Sequence, residues 1–223
     1  WPVMLSMVSY SMMSAADAIF VGRLGTVSLG AIGIAVTTTW LFLALPHGLV
    51  RGIRVATSQA LGGERQATAR ALGWQAIWLA LGTGALVALA STLGHGVFAA
   101  LGATPEVAEE AWRYFSLRGL FAPVALVALG LTAWFEGRGD TRTPMRVNVA
   151  ANLLNIGLDA WWVPLWGIRG AAWAGVVSLG VAAAWLVLAA WPVLRSTSWR
   201  PRRSLVAIST RFGMPIGVQR LLD

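Results

Sequence analysis

The stretch NVAANLLNIGLD, residues 148–159, sets three asparagines and an aspartate inside an apolar run. Asn148, Asn152, Asn155 and Asp159 follow one another at intervals of four, three and four. That is the period of an α-helix, so the four side chains share one stripe. A single polar stripe on an otherwise greasy helix faces something other than lipid.

The composition says why lipid is the right reference. The 223 residues are 57% hydrophobic and 12% charged, with a mean hydropathy of +0.67. Soluble domains are about 45–50% apolar and about 25% charged, so this is a membrane protein. There is no cysteine, which excludes a disulfide framework, thiolate catalysis and cysteine-based metal sites. The net charge is +8, and all 17 Lys/Arg positions are arginine. The arginines gather at the ends of apolar runs rather than along one polar face. They read as topology signals and not as a nucleic-acid surface. No signal-peptide pattern opens the chain. It begins at Trp1 inside one apolar run and stops at Asp223 inside another, and is expected to be the N-terminal portion of a longer protein.

A membrane-spanning helix needs about 20 mostly apolar residues. Such segments are expected at roughly 1–21, 27–59 (with Pro46 and Gly48 as a kink), 66–94, 106–136, 144–163 and 170–192, with a seventh starting near 205. Pro144 is placed to open the fifth of these. The predicted architecture is an all-α, six-helix membrane bundle plus the start of helix seven. Residues 1–194 form the lobe, 195–204 a basic cytoplasmic linker, and 205–223 the beginning of a second lobe. MPIGVQRLLD (214–223) lies over WPVMLSMVSY (1–10) with Pro215 on Pro2, a weak internal repeat of the kind found in secondary transporters.

With the N-terminus inside, connections 61–70, 136–146 and 195–203 hold nine arginines, and the outer ones, 22–26, 95–113 and 164–169, hold three. Basic residues favour the cytoplasmic side, so the predicted location is the cytoplasmic (inner) membrane, multi-pass, with a cytoplasmic N-terminus.

Only Asp17 and Asp159 lie well inside apolar segments. A charged acid at a helix centre costs about 2.5–3.5 kcal/mol on insertion scales, which points to function. Each precedes its helix's outer end by five residues, roughly 7–8 Å at the α-helical rise. The two carboxyl groups are therefore expected at one depth. Ser6, Tyr10, Ser14 and Asp17 fall on one face of the first helix, opposite the stripe ending in Asn155 and Asp159. Intramembrane acids mark ion or proton pathways, and carboxylate and amide oxygens also suit a hard cation such as sodium. The plainer reading of Asn148 and Asn152 is hydrogen bonding across a helix interface.

Arg118 is expected to snorkel outward, the alternative being a pairing with an acid. Arg51 and Arg54 are placed at the inner interface. Thr37, Thr38, Thr39 and Gln59 are candidate polar contacts. His47 and His95 fit no metal spacing, and no HExxH, GxSxG or Walker loop occurs, so no catalytic residue, cofactor or metal site is expected.

Five segments together carry a family resemblance: ADAIFVGRLG (16–25), SQALGGE (58–64), EGRGDTRTPM (136–145), NLLNIGLD (152–159) and GIRGAAWAG (167–175). In order and spacing the chain resembles the multidrug and toxic compound extrusion (MATE) family, over about half of a twelve-helix member. The resemblance implies an antiporter, working as a monomer, in which a proton or sodium gradient drives export of amphipathic, often cationic, organic compounds. It implies ion coupling at Asp17, Asn155 and Asp159. Tyr10, Asn152 and Gln59 are expected from their residue types and positions to line the cavity. Some relatives carry a threonine near the start of helix six, where Gly175 stands here. The rival reading is a flippase for lipid-linked oligosaccharides or lipids, against which the deep acids argue.

Overall fold

The computed structural model describes residues 1–93 and 95–222; Gly94, Asp223 and the side chains of Pro2, Val3, Leu93 and His95 lie outside it. The chain runs as α1 (Pro2–Gly22), α2 (Thr26–Gly62), α3 (Gln66–Leu93), α4 (His95–Ala100), α5 (Pro105–Leu120), α6 (Ala122–Gly137), α7 (Arg142–Trp166), α8 (Ile168–Leu194) and α9 (Arg203–Leu222). Four helices, in α1, α2, α3 and α8, are long and apolar enough to cross a membrane, and α5 with α6 adds a fifth span bent by 53°. Helix α7 has 25 residues, about 37 Å at 1.5 Å each. Its length suffices, but its asparagines keep it out of that apolar set. The protein is an all-helical, multi-pass membrane protein.

One expected helix is two. The segment 106–136 breaks at Phe121, between α5 and α6, and Pro123 is the cause. Proline offers no N–H to the carbonyl four residues back and its ring crowds that carbonyl. Helix α3 accommodates the bend through Gly84, where a Cβ would overlap the backbone of Pro123. The expected third helix ends at Leu93, and the short α4 follows. Helix α7 starts at Arg142, ahead of Pro144, because Asp140 holds its first turn. The Asp140 carboxylate accepts from the backbone N–H of Arg142 (3.1 Å) and Thr143 (3.0 Å), and from the Thr143 hydroxyl (2.7 Å). These N–H groups have no partner within the helix.

Two apolar clusters hold the bundle. One joins α2, α3, α6, α8 and α9 around Val50, Ile53, Leu72, Leu131, Trp134 and Leu186. Trp134, fully buried, donates its indole N–H to the Ala69 carbonyl at 2.8 Å. The other joins α1, α2, α4, α5, α7 and α8 around Val21, Ile32, Phe98, Phe115 and Val163. Alanine and glycine dominate the buried positions, so backbones approach closely, the packing mode of helices in lipid. Large apolar side chains such as Leu86 (69% exposed) and Leu188 (71%) point outward, as a lipid-facing surface requires.

Helices α2 and α9 meet at glycines. A Cβ on Gly48 would overlap the backbone of Gly217, and one on Gly52 would overlap Ser209 and Gly213. Before α9 the chain crosses 195–202 pinned to α3. Trp74 donates to the Leu194 carbonyl (2.9 Å) and Trp78 to the Trp199 carbonyl (2.7 Å). Between them the buried Gln75 donates to the Arg200 carbonyl (3.3 Å) and accepts from the Arg202 N–H (3.1 Å).

Candidate functional site

Helix α1 packs along α7, and α7 along α8. This arrangement turns the polar stripe of α7 inward toward its C-terminal end: Asn155 is 1% exposed and Asp159 is fully buried. Asp17 of α1 meets them there, and the Asp17 and Asp159 carboxyl groups lie within hydrogen-bonding reach of each other. Two carboxyl groups this close repel each other unless a proton or a cation is shared between them.

Asn155 bridges the pair. One orientation of its amide satisfies the surroundings, a choice the hydrogen-bond network decides. In it the nitrogen donates to Asp17 Oδ1 (3.1 Å) and Asp159 Oδ2 (3.3 Å), while the amide oxygen accepts from the Gly175 N–H of α8 (3.1 Å). Oδ1 of Asp159 is buried and meets no N–H or O–H donor among the described residues.

The Arg118 side chain of α5 does not snorkel. A Cβ on Gly175 would overlap its guanidinium, which therefore rests where α8 has no side chain. Its charge acts on both Asp17 and Asp159. The carbon of the guanidinium stands 5.9 Å from the centre of the buried Tyr114 ring, in cation–π range.

The other expected positions divide. Asn152, one turn from Asn155, donates to Ser9 Oγ at 2.8 Å and ties α7 to α1. Tyr10 is 46% exposed and lies near Asp17 and Arg118. Gln59 does not join them. It is exposed, three residues from the far end of α2. The start of α2 adjoins the Asp17 end of α1, and 33 residues separate Thr26 from Gln59, about 50 Å of helix. Sequence reasoning passed over Ser9, which sits one residue off the stripe drawn through Ser6, Tyr10 and Ser14, and it gave Gly175 no positive role.

A sequence model of the MatE family matches residues 2–161, most of the chain. The chain belongs to the MatE family. Among curated members, it is 34% identical over 182 residues to DNA damage-inducible protein F of Escherichia coli, covering 79% of this chain and 39% of that protein. It is 27% identical over 214 residues to the probable multidrug resistance protein NorM of Thermotoga maritima, covering 92% and 45%. Among solved structures, an outward-facing multidrug resistance MATE family transporter of the MOP superfamily superposes with a TM-score of 0.90 at 24% identity, over 99% of this chain and 51% of that one. That is a likeness of fold. The chain thus spans about two-fifths to one-half of the length of these MATE relatives, and the family it belongs to is one of transporters, not enzymes.

Proposed function

We propose that this chain is the N-terminal lobe of a cation-coupled antiporter, whose gradient of protons or sodium drives export of amphipathic, often cationic, organic compounds. The observation that carries the reading is the pair of half-buried Asp17 and buried Asp159, bridged by Asn155 and drawn from two different helices. A buried acid pair has no packing advantage over apolar side chains, and a site shared between α1 and α7 lets ion binding change how the two helices pack. Membership of the MatE family and the NorM relatives supports organic compounds as cargo. The arginine-rich ends of α2, α6 and α8 support a cytoplasmic N-terminus in the inner membrane. By this reading, residues 1–194 form the lobe and α9 opens a second one, and the two enclose the cargo path in a single full-length monomer.

The test uses the full-length protein in proteoliposomes, with efflux of ethidium followed under an imposed proton gradient and then a sodium gradient. Gradient-driven efflux that Asp17→Asn and Asp159→Asn each abolish, with both variants still inserted in the membrane, is the expected result. Efflux at the wild-type rate in both variants overturns the assignment. Ethidium export that ignores both gradients in the wild type overturns coupling altogether.

A further inference from the structure

Asp17, half-buried, and Asp159, buried, meet the donors of Asn155 and the charge of Arg118. Asn155 turns its NH2 group to both carboxyls and commits its oxygen to the Gly175 N–H. The Arg118 guanidinium approaches from α5, into space that exists because residue 175 has no side chain. The remaining titratable groups facing the pair are Tyr10 of α1 and Tyr114 of α5, both hydroxyl-bearing; α2 and α8 bring no charged group to it among the described residues. The buried Oδ1 of Asp159 lacks a donor among the described residues.

Those four features fit one ion and not another. A hard cation needs a shell of about six oxygens. Here the Asn155 amide oxygen is already engaged by the Gly175 N–H, its NH2 group is turned to both carboxyls, and the fixed positive charge of Arg118 acts on both. A proton needs only two carboxyl oxygens, and the structure supplies those. Given that this pair is the coupling site, as proposed above, we infer that Arg118 is its ion-specificity residue: seated over Gly175, its guanidinium makes the Asp17–Asp159 pair a proton carrier that rejects sodium. The proton enters on a carboxylate oxygen and leaves from it. Arg118 keeps its own charge throughout and offsets the negative charge that the departing proton leaves behind.

Gly175 is the second half of the device and gives a second test. A threonine there has a Cβ where the guanidinium now lies, so the far end of Arg118 must move away, and it brings a hydroxyl oxygen to the pair.

The experiment measures binding of radioactive sodium to the purified full-length protein, which requires no knowledge of the cargo. Wild type, Arg118→Met, Arg118→Lys and Gly175→Thr are compared, each with and without Asp159→Asn. Expected are no saturable sodium binding in wild type or Arg118→Lys, and saturable binding in Arg118→Met and Gly175→Thr that Asp159→Asn removes. Like charges brought together cost several kcal/mol, so losing the guanidinium should raise sodium affinity roughly tenfold or more. Saturable binding in wild type overturns the inference. Sodium binding absent from both Arg118→Met and Gly175→Thr overturns it as well, and circular dichroism on each variant shows that the helices are intact. Failure here leaves the carboxyl pair as the coupling site. Failure of the coupling site itself appears as undiminished efflux in Asp159→Asn, which is a different measurement.

Discussion

Replacing Gln75 with leucine should free the 200–203 stretch and leave the bundle standing. Gln75 is 1% exposed, and its only polar partners shown are the Arg200 carbonyl and the Arg202 N–H. Leucine is of similar size and keeps the packing against α8 and the linker but breaks both hydrogen bonds. Each such bond is worth a net of about 0.5–1.5 kcal/mol, so the two together hold the segment by about 1–3 kcal/mol. At RT near 0.59 kcal/mol, the opening equilibrium of the segment rises roughly 5- to 150-fold. Hydrogen–deuterium exchange of the full-length protein in detergent reads this at the Arg202 amide. Residues 194–199 serve as the internal control, because Trp74 and Trp78 still hold the Leu194 and Trp199 carbonyls. An Arg202 amide that exchanges within twofold of wild type, or an equal loss of protection along all of α3, would refute the reasoning.

Three further predictions come from the helices. Gly52→Leu must push α9 off α2, since even its Cβ meets the backbone of Ser209 and Gly213. It should destabilise by about 1–3 kcal/mol, seen as a lower midpoint of thermal unfolding in detergent. Gly33→Ala, in the same helix, meets nothing within 4 Å and should instead stabilise by about 0.4–1 kcal/mol. Asp140→Ala removes the cap of α7 and should cost about 0.5–2 kcal/mol at neutral pH. Slight burial raises the Asp140 pKa, but the Thr143 and Arg142 hydrogen bonds outweigh that and bring it below the ordinary carboxylate value. A depressed folded-state pKa means stability that is fully present above the unfolded value, near 3.9, and that is lost as pH falls through the folded one. The gap between wild type and Asp140→Ala should therefore be constant near neutrality and close below about pH 4; a gap that widens in acid would contradict it.

Periodicity made the heart of the site readable. Asn155 and Asp159 announced themselves as polar residues on a helical stripe, and counting back from each helix end put Asp17 and Asp159 at one depth. Three things resisted. Gln59 was chosen for its residue type, and type says nothing about position along a helix of 37 residues. The break at Phe121 was hidden because Pro123 lies in an unbroken apolar run, and a proline there is compatible with either a kink or a new helix. Arg118 was misread because its direction depends on a void. Whether a long cationic side chain reaches for water or for a buried acid is decided by what stands opposite, and here that is Gly175, 57 positions further along the chain.

The glycine contact between α2 and α9 bears on how a lobe like this can move. Interdigitated side chains lock two helices, because sliding one over the other means withdrawing each knob from its hole. Gly48 and Gly52 against Gly213 and Gly217 offer bare backbone to bare backbone, with no knobs to withdraw. The contact is tight in separation yet smooth in rotation, so it acts as a bearing. Beyond it, the Trp74, Gln75 and Trp78 clamp tethers the approach to α9 at one end. A helix tethered at its root and borne on a smooth fulcrum can swing through an angle without unfolding or losing its place, and the cost of that swing falls on whatever its free end touches.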